Sequence, residues 1–168
     1  AILGGTGPVG VASAVISSKA GNDVVLIGRN KEKTEKVVSI CNDKYGSDSV
    51  VVGLDENKSS IISEVDVVFN TGAAGIQLMD NNLVASSKNI KICADVNAVP
   101  PSGIAGVELN DDVVKMKNSN NDCYGIGALA IGNIKYKSQH DCLKLMYEST
   151  KPVFLHFEHA FEFAQKDV

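Results

Sequence analysis

The segment AILGGTGPVG, residues 1–10, decides how the chain folds. Ala1–Leu3 reads as the end of a β-strand. From Pro8 the sequence turns rich in Ala, Val and Ile and reads as a helix, Pro8–Ala20, stopped by Gly21. Between strand and helix stands Gly5-x-Gly7-x-x-Gly10. Alone such a pattern is weak, but here it follows a strand and opens a helix, the context it requires. Gly5 permits a tight turn, Gly7 lets the backbone approach a pyrophosphate, and Gly10 lets the helix pack against the strand. Pro8 suits a first helical turn, and the unpartnered N–H groups there, with the helix dipole behind them, stabilise phosphate.

Strand and helix alternate onward from this unit. Asp23–Ile27 is a β-branched strand, and Lys31–Lys44 an amphipathic helix expected to turn Val37, Val38, Ile40 and Cys41 inward. Ser49–Gly53 and Asp66–Asn70 read as strands, Ser59–Glu64 and Asn82–Ser87 as short helices, and Ile90–Ala94 as a fifth strand. Asp95–Gly106, with its Pro-Pro pair, is a loop, and Lys117–Asp122 a polar, exposed one. Tyr124 falls in a short last strand, Ala128–Glu148 is a long helix ended before Pro152, and Phe157–Lys166 a final amphipathic helix. Short, continuously apolar strands between helices predict an α/β fold, a parallel, doubly wound sheet with helices on both faces.

The only arginine of the chain, Arg29, lies just past the second strand. An NAD-type site places a carboxylate there, about 20 residues beyond the glycines, to bind the ribose 2′-hydroxyl. Here the position is Gly28-Arg29 and no carboxylate stands in it. A guanidinium binds a 2′-phosphate with two parallel hydrogen bonds, and Lys33, one helical turn on, adds a second positive charge. The expected cofactor is therefore NADP.

Ligands in open α/β sheets bind at the carboxyl ends of strands. Small residues in NTGAAG (Asn70–Gly75) leave room for the ribose and nicotinamide half of the cofactor. Asp95 and Asn97, after the fifth strand, face either the nicotinamide or the substrate, or else cap a turn. Gly127, within YGIGALAIG (Tyr124–Gly132), lies where backbone groups can hold the nicotinamide amide.

Other functions find little support. The net charge is −4 and the lysines are scattered, unlike a nucleic-acid-binding face. No apolar run is long enough to span a membrane. Cys41, Cys93, Cys123 and Cys142 form no C-x-x-C pair, which argues against a zinc site and fits reduced thiols in the cytoplasm. His140, His156 and His159 read as structural, and no third ligand joins the last two to make a metal site. The chain opens without Met, and only three residues precede the glycines. We therefore expect residues 1–168 to be the later part of a longer protein.

Five segments, AILGGTGPVG, VVLIGRNKEK, FNTGAAGIQL, ADVNAVPPSGIAG and YGIGALAIGNIKYK, occur in this order and spacing. Together they resemble the NADP-binding, Rossmann-type domain of methylene-tetrahydromethanopterin dehydrogenase of the methylotrophic-bacterial type, over nearly the whole chain. DVNAVPPSGI and GIGALAIG are the specific segments. The resemblance implies hydride transfer between methylene-tetrahydromethanopterin, or the folate analogue, and NADP, with residues 1–168 as the NADP-binding domain and an amino-terminal domain outside this sequence carrying most of the pterin site; a homo-oligomer is also expected. It places Thr6, Gly7, Pro8 and Val9 at the pyrophosphate, Arg29 and Lys33 at the 2′-phosphate, and Thr71, Gly72 and Ala73 beside the ribose. Gly5 replaces an alanine often found in the family. Removing hydride from the methylene carbon leaves a cation shared by two nitrogens and releases no proton, so no general base is expected in this chain. Two alternatives stand beside this reading: a shikimate-dehydrogenase-like alcohol oxidoreductase, which needs a positioned acid–base residue, and a non-enzymatic NADP-binding module.

Overall fold

The computed structural model describes residues 1–166 of the chain. β1 (Ile2–Leu3) leads through the glycine loop into α1 (Pro8–Lys19), then β2 (Val24–Gly28), α2 (Lys31–Ser39) and β3 (Val50–Leu54). α3 (Lys58–Ser63), β4 (Val67–Asn70), α4 (Asn81–Ser86) and β5 (Ile92–Asp95) follow. The chain closes with β6 (Asp112–Lys115), β7 (Tyr124–Ile126), α5 (Ala128–Glu148) and α6 (Phe157–Ala164). All seven strands join one sheet in the order β3-β2-β1-β4-β5-β7-β6. Every pairing is parallel except β6 with β7. The order runs outward from β1 and then reverses, setting β4 on the other side of β1. At such a switch point the loops on either side diverge and open a crevice at the carboxyl edge.

Period-two alternation sorts the strand side chains between two cores. Ile2, Val24, Leu26 and Val50 pack with Ala14 and Val15 of α1 and Val37 and Val38 of α2. Leu3, Ile27, Val68 and Cys93 face the opposite way and pack with Ile62 of α3 and Val84 of α4. Each fully buried Val, Leu or Ile contributes about 1.5–3 kcal/mol, so the sheet needs helices on both sides. This is the doubly wound α/β fold expected from the alternation.

Two details differ from the sequence reading. The helix expected over Lys31–Lys44 is α-helical only to Ser39, and Ile40–Lys44 is a π-helical turn. The wider turn carries one extra residue, which rotates Ile40 outward (37% exposed) while Cys41 stays fully buried. β6 has no counterpart among the strands expected from the sequence. All four of its residues are exposed, so it has no burial signature, and an irregularity between Asp112 and Val114 breaks the ladder. In α5 the apolar positions do not face the sheet: Leu129, Ile134, Leu143, Leu145 and Met146 are all at least 40% exposed, and only Ser138 is buried.

α6 docks on α1 through Phe157, which packs on Tyr45 with ring centroids 5.3 Å apart. His156 and His159 serve this helix. His156 Nδ1 accepts from Glu158 N, and His159 Nδ1 accepts from His156 N, closing a capping box. Glu158 also pairs with Lys19 of α1, and that hydrogen bond holds its carboxyl below the ordinary value of 4.5. A depressed folded-state value stabilises above the unfolded value, and the stabilisation vanishes as pH falls through the folded one. Glu158→Gln is therefore expected to lower Tm slightly at pH 7, the pair being partly exposed, and to melt with the parent at about pH 2–3. Thermal melts across pH check this; an equal gap at both pH values would contradict it.

Candidate functional site

After Leu3 the chain must turn sharply to enter α1. Gly4, rather than Gly5, takes the left-handed conformation, with φ of 63°. A Cβ on Gly4 would lie 2.6 Å from Gly72 Cα, so the loops after β1 and β4 touch. Gly5 donates its N–H to Ile27 O at 3.1 Å, and a Cβ on it would meet Leu26 Cγ at 2.7 Å. An alanine at this position would thus require Leu26 to shift. A Cβ on Gly10 would lie 2.3 Å from Gly5 O, because α1 rests directly on the loop. Gly7 differs from all of these: nothing lies within 4 Å of its Cβ position. Gly7 is the N-cap of α1, no side chain caps it, and Pro8 follows. The amides of the first turn, including that of exposed Val9, therefore have no partner within the helix and open onto the space beside Gly7.

Thr6 joins this loop to the end of β2. A Cβ on Gly28 would stand 2.9 Å from Thr6 Cγ2 and 2.2 Å from Thr34 Oγ1. Arg29 is the next residue and is exposed. Asn30 caps α2, its Oδ1 accepting from Lys33 N at 2.8 Å, which sets Lys33 one turn into the helix at the same end as Arg29. Lys31 is drawn 3.9 Å from Glu35. Neither Arg29 nor Lys33 has a carboxylate partner among the described residues.

Across the switch point a buried polar network stitches the next loops together. Leu3 pairs in register with Asn70, and Asn70 with Asp95, so β1, β4 and β5 end level. Thr71 donates both its N–H and its hydroxyl to Leu3 O, at 2.9 and 3.0 Å. Gly72 N donates to Asn70 Oδ1, and Asn70 Nδ2 donates to Asp95 Oδ1 at 2.6 Å. Ala73 is exposed at the rim. The side chain of Asn97 is taken up by its own loop. Its Oδ1 accepts from Gly75 N and Val99 N, and its Nδ2 donates to Pro101 O at 2.9 Å. Of its two open readings, that describes the turn.

Gly127 sits at the N-cap of α5 and donates its N–H to Asp111 O at 2.8 Å. A Cβ on it would lie 2.1 Å from Glu108 O, so the residue is pressed against the 108–111 loop. Its N–H is thus committed within the protein. A cleft of about 180 Å³ opens here, lined by Asp95, Asn97, Val99, Pro100, Glu108 and Gly127 among others. A larger hollow of about 680 Å³ lies at the opposite, amino edge, beside Val24 and Val67, but neither the glycine loop nor Arg29 reaches it. The carboxyl edge is where the strand loops and helix N-termini converge.

Sequence reasoning placed NTGAAG (Asn70–Gly75) at this edge but gave the Asn70 side chain no role there, and it missed Gly103. A Cβ on Gly103 would fall 1.6 Å from Asn70 Nδ2, a constraint that exists only once β4 and the following loop are brought together. Beneath the edge, Cys123 Sγ lies 3.7 Å from Cys93 Sγ and 3.6 Å from Met116 Sδ. Hydrogen bonding with Cys123, burial and the nearby Asp95 charge push the Cys93 thiol far up, which leaves it neutral and unreactive. Among the described residues no three His, Cys, Asp or Glu side chains gather to hold a metal, and no helix is long and apolar enough to cross a membrane.

No known family profile matches the chain. Individual proteins do. The chain is 34% identical over 166 residues to the NAD(P)-dependent methylenetetrahydromethanopterin dehydrogenase of Methylorubrum extorquens, covering 97% of this chain and 55% of that protein. It is 31% identical over 155 residues to the bifunctional protein MdtA of the same organism, covering 91% and 52%. The chain thus spans about half the length of the curated relatives it matches. Among solved structures, quinate dehydrogenase from Corynebacterium glutamicum in complex with NAD superimposes with a TM-score of 0.61 at 15% identity, over 99% of this chain and 54% of that one. A transhydrogenase from Sinorhizobium meliloti gives 0.59 at 17% identity, over 77% and 36%. Those two likenesses show the fold, a Rossmann-type one, and the first two show that nearly the whole chain is similar in sequence to about half of a methylenetetrahydromethanopterin dehydrogenase.

Proposed function

We propose that the chain binds NADP at the carboxyl edge of its sheet. In that reading it is the cofactor domain of an oxidoreductase moving hydride between methylene-tetrahydromethanopterin, or methylene-tetrahydrofolate, and NADP. The observation that carries the proposal is the pairing of an open Gly7 turn with two cations, Arg29 and Lys33, that have no carboxylate partner among the described residues. The residues present fit the cofactor. The space a Cβ would take at Gly7 is free, first-turn amides face it, and Thr6 packs beside Gly28, next to Arg29. Thr6, Gly7, Pro8 and Val9 would hold the pyrophosphate on a turn that Gly5 and Gly10 make possible, Arg29 and Lys33 the 2′-phosphate, and Thr71, Gly72 and Ala73 the ribose. Asn97 and Gly127 would shape the nicotinamide end through the loops they brace rather than by donating from their own committed groups.

Bound NADP supplies a hydride-accepting ring. The chain supplies alignment and an edge from which water can be excluded, and hydride removal from a carbon between two nitrogens asks for no proton transfer from it. The curated relatives' names support the pterin substrate, and the likeness spans only about half of each. Four free thiols support a reducing, cytoplasmic setting. Exposed Leu129, Tyr136, Leu143 and Tyr147 along α5 support burial of that helix in a homo-oligomer. The test is direct: titrate the 168-residue chain with NADP, then assay it with methylene-tetrahydromethanopterin and methylene-tetrahydrofolate. Tight NADP binding without turnover is expected. No NADP binding would overturn the assignment, and full turnover would overturn its restriction to a cofactor half.

A further inference from the structure

One group at this edge is unexplained by cofactor holding alone. Asp95 is 1% exposed, yet it lines the floor of the cleft beyond β5 and β7. Its Oδ1 accepts from Asn70 Nδ2 at 2.6 Å and Asn97 N at 2.9 Å, and its Oδ2 accepts from Ile104 N at 3.0 Å. Both oxygens act as acceptors toward amide N–H donors, the pattern of an ionised carboxylate. No Lys, Arg or His pairs with it among the described residues. An anion buried without a cation costs several kcal/mol of desolvation, only partly offset by hydrogen bonds from neutral amides. An asparagine would avoid that desolvation cost, at the expense of setting its NH₂ against one of these N–H donors, so the charge itself invites a role.

Topology says where the charge acts. The glycine loop and Arg29 lie on the β1–β2 side of the switch point and take the adenosine-phosphate half of a dinucleotide. The other half then extends across the crevice toward β4, β5 and β7, where the Asp95 cleft opens. The nicotinamide ring is cationic when oxidised and neutral when reduced. Among the described residues the only other carboxylate lining the cleft, Glu108, is exposed, and water screens it. We propose that Asp95 is a positioning residue that acts through its charge, which makes the site favour the oxidised, cationic nicotinamide over the reduced ring. This rests on the NADP reading above.

The experiment measures binding, not turnover. The 168-residue chain and its Asp95→Asn variant are titrated with NADP⁺, NADPH and 2′-phospho-ADP-ribose, which keeps the phosphates and lacks the ring. In the variant, the affinity ratio of NADP⁺ to NADPH is expected to fall on the order of tenfold, with 2′-phospho-ADP-ribose bound as in the parent. An equal loss for NADP⁺ and NADPH means Asp95 only shapes the loops, and overturns the proposal. A parent chain that binds none of the three ligands instead overturns the NADP reading itself. Asparagine brings an NH₂ against either Asn97 N or Ile104 N and weakens the network, so a second variant guards against misfolding. Asn70→Asp with Asp95→Asn keeps one negative charge in the pair and is expected to restore the parental ratio. A ratio left at the single-variant value would also overturn the role of charge.

Discussion

Arg29→Ala is expected to weaken NADP binding by about 1.5–3 kcal/mol, the range for hydrogen bonds to charged groups, and to leave NAD binding almost unchanged. The reasoning is differential. NADP and NAD differ by one phosphate on the adenosine ribose, and everything else they touch is shared. Arg29 follows Gly28, whose Cβ position is bounded by Thr6 of the glycine loop, so Arg29 leaves the sheet beside the loop and not across the sheet from it. Among the described residues no carboxylate competes for it. Lys33 shares the phosphate as a point charge, so Lys33→Ala alone is expected to cost less, and the double variant less than the sum if both touch one group. Titrating both cofactors against each variant decides the matter; equal losses for NADP and NAD would remove Arg29 from the 2′-phosphate.

The second large effect separates two glycines of the same motif. Gly10→Ala would force a Cβ to within 2.3 Å of Gly5 O and 2.4 Å of Gly5 Cα, both backbone atoms that cannot swing aside. α1 must then lift from the glycine loop, and Ala14 and Val15, both fully buried, lift with it. A destabilisation of about 3 kcal/mol is expected, at the high end for overpacking, together with loss of dinucleotide binding. Gly7→Ala places its Cβ in open space and should cost about 1 kcal/mol or less of stability, the scale of an N-cap change. Its dinucleotide affinity should nevertheless fall steeply, because that open space is what the pyrophosphate would occupy. Denaturant melts and NADP titrations of the pair give the contrast. Similar stability losses in both would refute the packing account, and unimpaired binding in Gly7→Ala would move the phosphate elsewhere.

How much of this is legible in the sequence varies with the range of the interaction. The glycine spacing, the Pro at the first helical turn and the apolar strands are local patterns, and each appears in the structure close to where the sequence puts it. The placement of Arg29 at a strand end is also local, since a strand and a turn fix it. Ile40 departs from its expected inward position because a π turn shifts the helical phase by one residue, and nothing in ICNDK announces it. β6 is invisible in the sequence because an exposed edge strand carries no alternation of burial; its partner, β7, defines it. The apolar residues of α5 mark a helix, but periodicity alone cannot say which surface an apolar helix meets.

The sequence by itself determined the doubly wound class, the glycine turn, and the cationic rather than acidic residue after the second strand. Each follows from backbone conformational limits, side-chain periodicity or charge type over a few residues. Only the tertiary structure decided that Gly4 takes the left-handed turn, that Gly103 makes room for Asn70, and that Asp95 lies buried under the cleft with amide donors and, among the described residues, no paired cation. Those facts depend on which strand ends stand side by side. Asn70 and Asp95 are 25 residues apart in the chain, and parallel pairing of β4 with β5 brings them within a hydrogen bond. Contacts of that kind are products of strand order, which short-range sequence patterns do not encode.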